Sequence, residues 1–224
     1  QRQMCIRDSA GGRQQKNTSK AIKTHIKNTA KTHQKQAKKT SILDAAARVF
    51  AQYGFKRTTM SDIADAGGVS RPALYLMFDN KEHLFRELAG YRVELALHNA
   101  EAELVTNRVV TTRFINAIKT FEKTYTEPVA NSPHGDELID VNRNLAADIM
   151  TKGRADLILA LVKLLKKADK SDEVSFQNIS LTHRGFVELL LSSIDGIKKN
   201  STSKAEYRKR TQQLMQIFLN AIQR

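Results

Sequence analysis

The chain has no tryptophan, one cysteine and only three prolines among its 224 residues. A lone cysteine, Cys5, excludes an intrachain disulfide and any Cys-x-x-Cys metal or redox motif. Few prolines leave room for long helices, because a proline inside a helix removes a hydrogen bond and clashes with the preceding turn. Long apolar runs are also missing. The longest, Leu157–Val162, has six residues, far short of the ~18 needed to cross a bilayer. No apolar core of a secretory signal stands near the N-terminus. These absences predict a cytoplasmic protein with no membrane partner. Catalytic signatures are lacking too: GxSxG, HExxH, P-loop and GxGxxG patterns do not occur. No enzyme, cofactor or metal is therefore expected. Glu94, His98 and Glu101 do share a helical face, and His134 stands near Asp136 and Asp140, but solvated surface and capping explain both groups. Neither β-hairpin signals nor a repeat of 20–50 residues is found.

What is present is positive charge, unevenly placed. The formal net charge is +14. Residues 1–39 hold eleven Lys or Arg and a single acid, Asp8, whereas residues 40–224 hold 26 basic and 22 acidic residues. The basic character thus belongs to an N-terminal arm suited to nucleic-acid phosphates. Its first twelve residues, QRQMCIRDSAGG, read as translated vector sequence rather than native protein. Lysines at 16, 20, 23, 27, 31 and 35 would form one stripe on a helix, but their neighbours are polar. A solvated, disordered arm is expected over 1–39, with a helix forming on DNA as the alternative.

Residues 54–85, GFKRTTMSDIADAGGVSRPALYLMFDNKEHLF, carry the most information. Thr59 precedes the apolar-periodic segment Met60–Ala66 and can cap it. Gly67-Gly68 supplies a positive-φ exit. Ser70 caps a second helix with Pro72 in its first turn, where a missing N–H costs nothing. Ala64 permits a close crossing, Val69 fills the angle, and Ile63, Leu74 and Phe78 form the shared core. This is a helix–turn–helix, a layout that presents a helix to the DNA major groove. Upstream, Ile42, Ala45, Ala46, Val49 and Phe50 pattern a bracing helix over 41–53.

In register, Gly54-Phe55, Thr59, Ile63-Ala64, Gly68-Val69-Ser70, Leu74-Tyr75, Phe78, Lys81 and Leu84 resemble the DNA-binding head of the TetR/AcrR family of transcriptional regulators. The resemblance covers about 45 residues. It implies an all-α protein: a three-helix head over 40–86 and a larger helical body over 87–224 for effector binding and dimerisation. The implied function is a sequence-specific repressor, released from a palindromic operator by a small molecule. The partners are then double-stranded DNA, a second copy of the chain and an effector. The alternative is a nonspecific nucleic-acid or anionic-surface binder driven by the arm.

By this resemblance Arg71 is the first choice for reading a base, since an arginine can bond guanine O6 and N7 together. Leu76 can pack on a thymine methyl. Leu76-Met77 departs from the family, which usually carries polar or aromatic residues there. Pro72, Ala73 and Ser70 flank the same surface. Tyr75 and Lys81 are implied phosphate contacts, with Ser61 a lesser one. Thr59 can donate to phosphate or act only as a cap.

Asn80 can cap a long fourth helix reaching about Glu103, with Leu84, Phe85, Leu88, Tyr91, Leu95 and Leu97 as inner positions. Helices are also expected over 112–125, 136–150, 153–168, 181–199 and 203–223. Pro128 and Pro133 should break the chain, and a kink is expected near Gly153. The family's effector site lies among the middle helices, where His98, Phe114, Phe121, Tyr125, Asn142 and Met150 are suitable liners, though a residue of this kind is more often simple core than ligand contact. The last two helices carry apolar stripes: Phe186, Leu189, Leu190, Ile194 and Ile197, then Tyr207, Leu214, Phe218 and Ile222. They pack into their own body or meet a partner, and the resemblance favours a four-helix bundle between two subunits.

Overall fold

The computed structural model describes residues 34–130 and 132–223; the basic arm before residue 34 lies outside them. The described residues form nine α-helices and no strand. They are α1 (34–53), α2 (Met60–Ala66), α3 (Arg71–Tyr75), α4 (Lys81–Leu104), α5 (Val110–Ala130), α6 (Gly135–Leu145), α7 (Ala147–Lys170), α8 (His183–Asn200) and α9 (Lys204–Ile222). The expected all-α architecture is the one observed.

Two apolar cores organise these helices. The first joins α1 to α4, with Ile42, Phe50, Ile63, Leu74, Phe78 and Leu84 fully enclosed. Phe50, Phe55 and Phe85 meet ring to ring, with centroids 5.3–5.5 Å apart, a spacing that adds to simple burial. The second core fills the body around Phe114, Ile118, Leu161, Leu165, Phe186 and Leu190. α4 runs from one core into the other. Its start is capped by Asn80, whose side chain accepts the His83 N–H at 2.7 Å. Twenty-four residues make it ~35 Å long.

Several expectations are corrected. The chain is already helical at residue 34, so the arm's last residues belong to α1. Lys39 pins this segment through an ion pair of 2.6 Å to Glu87 on α4, and holds the Glu87 carboxyl below its ordinary range. On α4, Leu84, Phe85 and Leu88 are buried as expected, but deeper in the body the buried positions are Ala89, Val93, Ala96 and Ala100. Tyr91, Leu95 and Leu97 sit only half-buried. Small side chains line the inner face because α5 and α7 press closely on it. Pro128 does not end α5, which continues to Ala130. The break in the next segment falls at Ala146, between α6 and α7, and not near Gly153. Gly153 is instead buried inside α7, where a Cβ would fall under 3.0 Å from Val93 Cγ1. It marks a close helix crossing.

The first core also recruits α6. Leu138 is 5% exposed within it, and Val129, Val141 and Leu145 pack on its edge. The expected boundary at 86/87 therefore does not separate the two packing units cleanly.

Candidate nucleic-acid interface

The helix–turn–helix is built by local hydrogen bonds. Thr59 and Asp62 make a reciprocal capping box: the Asp62 N–H donates to Thr59 Oγ1 at 3.2 Å, and the Thr59 N–H to Asp62 Oδ2 at 2.8 Å. The same Thr59 hydroxyl donates to Asp62 Oδ2 at 2.8 Å. These bonds, the backbone one first, hold the Asp62 carboxyl below its ordinary range. Thr59 is thus fully used as a cap. The exit is made by Gly68 at φ +62°, while Gly67 stays right-handed. That left-handed step suits a residue without a Cβ. The Val69 N–H then donates to Ala64 O at 3.0 Å, and Ser70 caps α3 by accepting the Ala73 N–H at 3.3 Å.

Leu74 and Phe78, both 0% exposed, anchor α3 from below. Its other side faces outward. Arg71 and Pro72 are exposed, Ala73 is half-buried, Tyr75 is 43% exposed and Leu76 88%. Ser70 is exposed and Ser61 half-buried. The Arg71 guanidinium lies 5.9 Å from the Tyr75 ring centre, one turn along the helix, a distance at which cation and ring attract. Arg71 and Tyr75 therefore share one open surface, and Leu76, just past the end of α3, is too exposed for partial burial.

Lys81 has other partners than those expected. Its Nζ donates to Phe55 O at 2.8 Å and Thr58 O at 2.9 Å, reaches Lys56 O at 3.4 Å, and lies 4.5 Å from the Phe55 ring centre. An ammonium has three donors, and these carbonyls take them. Lys81 clasps the turn before α2, with its ammonium directed at these carbonyls.

The body contacts the head at three places that sequence reasoning missed. Glu137 on α6 accepts the Lys56 N–H at 2.8 Å. Ser132 donates to Ala51 O at 2.6 Å. Arg86 on α4 grips Asp148 with two bonds of 2.7 and 2.8 Å and also donates to Leu145 O. The Arg86 bond draws the Asp148 carboxyl down to about 2. Each contact joins residues more than fifty positions apart, so no local pattern announces it.

Of the suggested effector liners, Phe114 and Phe121 are buried core and His98 is exposed. Tyr125, Asn142 and Met150 are half-buried. The Tyr125 hydroxyl bonds Asn142, linking α5 to α6, and burial pushes it up to about 12. None of the six lines the two clefts of about 490 and 480 Å³ that open beside α1. Among the described residues no three His, Cys, Asp or Glu side chains gather as a metal site.

The suggested dimer stripes are largely internal. Phe186, Leu190, Ile194 and Ile222 are enclosed in the body core. Tyr207, Leu214 and Phe218 pack on its edge, with Phe218 5.1 Å from Phe186 ring to ring. Tyr207 donates to Glu122 at 2.7 Å, and burial raises its hydroxyl well above the ordinary range. Ile197 is half-buried. What remains outside is Leu189, 48% exposed on α8, and Ile217, 66% exposed on α9. Ile217 is a position the sequence reading missed, being one step off the stripe chosen there.

Residues 42–88 match the family model of bacterial regulatory proteins, tetR family. This segment resembles the TetR family. Over 57 residues it is 44% identical to the HTH-type transcriptional repressor KstR2 of Rhodococcus jostii (strain RHA1), a match covering 25% of this chain and 28% of that protein. It is 37% identical over 62 residues to the HTH-type transcriptional repressor ComR of Escherichia coli (strain K12), covering 28% and 30%. The chain thus spans less than a third of the length of these curated relatives. In fold the likeness to solved structures runs much further. A transcriptional regulator from Cytophaga hutchinsonii ATCC 33406 aligns with a TM-score of 0.68 over 82% of this chain and 97% of that one, at 18% identity. SmeT, the repressor of the Stenotrophomonas maltophilia multidrug efflux pump SmeDEF, aligns at 0.58 over 83% and 90%, at 16% identity. No helix among the described residues is long and apolar enough to cross a membrane.

Proposed function

We propose that this chain is a TetR-type, sequence-specific DNA-binding repressor, working as a homodimer in the cytoplasm and leaving a palindromic operator when a small molecule enters its body. One observation carries the reading. Arg71 and Tyr75 on α3 and Leu76 just past its end stand exposed, while Leu74 on the helix and Phe78 beyond it are buried in the head core. A rigid, outward helix carrying an arginine is what direct base reading needs. Arg71 is assigned to guanine, a bidentate contact that discriminates by ~1–3 kcal/mol. Leu76 is assigned to a thymine methyl. Tyr75, Ser70, Ser61, Pro72 and Ala73 line the backbone around them. Thr59 and Lys81 are assigned to holding α2 in place.

α3 has five residues, and a helix that short reaches few base pairs. Two-fold pairing of subunits doubles the site and matches a palindrome. Leu189 and Ile217 mark the face assigned to that pairing. An effector lowers DNA affinity only if it prefers a spacing of the heads that the operator does not fit, and the coupling is reciprocal.

Selection of duplexes from a random pool tests the reading. The expected product is a two-fold symmetric motif with guanine and thymine at the positions nearest α3. A pool that stays random after repeated rounds refutes it and favours nonspecific binding through the basic arm.

A further inference from the structure

The turn between α1 and α2 is held from two sides. Within it, Gly54 stands at φ +79°, and the buried Thr58 hydroxyl donates back to Gly54 O at 2.6 Å. On one side, Lys81 of α4 takes the carbonyls of Phe55 and Thr58. On the other, Glu137 of α6 takes the Lys56 N–H at 2.8 Å through Oε1. Its Oε2 sits where a Cβ on Gly54 would fall, and 3.7 Å from His134 Nδ1. Next to Glu137, Leu138 is inserted into the head core. The residue after Thr58 is Thr59, the cap of α2. The first turn of the helix–turn–helix is therefore set by a carboxylate belonging to the body.

We propose that Glu137 is a positioning residue for operator recognition: by holding the Lys56 amide it fixes the turn on which α2, and through it α3, is aimed. The proposal rests on the DNA-binding reading above. It predicts the opposite of simple electrostatics. Removing an acid from a DNA-binding protein should strengthen binding to all DNA, through weaker repulsion of phosphates. Losing a positioning bond should weaken binding to the preferred duplex alone.

The test uses the full chain, the duplex recovered from the random pool, and a scrambled duplex of the same composition. Glu137→Ala is expected to bind the preferred duplex about fivefold more weakly, the worth of one modest hydrogen bond. Its affinity for the scrambled duplex and its salt slope should stay within error of the parent. Glu137→Gln keeps an oxygen acceptor and should restore preferred binding. Hydrogen–deuterium exchange over residues 50–60 should quicken in Glu137→Ala and not in Glu137→Gln, a readout that needs no DNA. Equal affinity of Glu137→Ala and the parent for the preferred duplex overturns the proposal, as does an equal change on both duplexes. Unchanged exchange at the turn overturns it as well. A parent chain with no preferred duplex removes the function and the inference together, whereas a preferred duplex bound equally by Glu137→Ala removes the inference alone.

Discussion

Gly153→Ala sets two known effects against each other. Alanine is the better helix former, and replacing an interior glycine normally gains ~1 kcal/mol. Here the added methyl would fall under 3.0 Å from Val93 Cγ1, with Val93 Cβ and Cγ2 at 3.5 and 3.6 Å. Val93 is 5% exposed on α4, and a helical valine strongly prefers one χ1 rotamer. Relief then requires an unfavourable rotamer or a separation of α4 from α7, overpacking that costs ~1–3 kcal/mol. The net expectation is a loss of about 1 kcal/mol, or a melting temperature ~2–4 °C lower for a chain of this size. The decisive measurement is a double-mutant cycle by thermal or urea denaturation. Val93→Ala alone removes two methyl equivalents and should cost ~1.5 kcal/mol. In the double variant the new methyl fills the space vacated by valine, so the pair should be ~1–2 kcal/mol more stable than the sum of the singles. A Gly153→Ala protein that melts above the parent, or a cycle with no coupling, would refute the close-crossing argument.

Asp148→Asn should weaken the Arg86 grip, with a defined dependence on pH. The Asp148 carboxyl is depressed from 3.8 to about 2, so its stabilisation is complete above the ordinary value and disappears as pH falls through the depressed one. Melting curves of parent and variant should differ at pH 6 and converge near pH 2; a constant gap would contradict the assignment. Ile217→Glu places a charge on the exposed apolar face of α9, and sedimentation should show a smaller species with the circular dichroism unchanged. Replacing thymine by deoxyuridine in the preferred duplex removes only the C5 methyl, and should weaken the parent by ~1 kcal/mol if Leu76 packs there. Leu76→Ala should be insensitive to the replacement; equal sensitivity would remove Leu76 from base reading.

The head was legible because its signals act within a few residues. Thr59, Gly68 and Ser70 each serve a backbone group no more than five positions away, so composition and order suffice to place α2 and α3. The body was legible in outline only. Periodicity located α8 and α9 to within two residues at each end but left their apolar stripes open between the body core and a partner, and Phe186, Leu190 and Ile222 go inside. A bias toward large side chains picked Leu95 and Leu97 on α4 over Ala96 and Ala100, since a close neighbour selects small side chains and sequence does not reveal the neighbour. Gly153 followed that pattern: a glycine in a helix signals a kink or a contact, and only the position of Val93 decides. The partners of Lys81 were hidden for a related reason, because the carbonyls it binds lie 23–26 residues away.

The presence of Leu138 inside the head core has a practical consequence for anyone rebuilding this molecule. A module cut after residue 88 would carry away Phe50, Phe85 and Leu88 with a hole where the α6 side chain belongs, and would leave that leucine bare on the donor body. Chimeras that exchange this head for another should transfer this stretch of α6 with it, or redesign the seam where the two pieces meet.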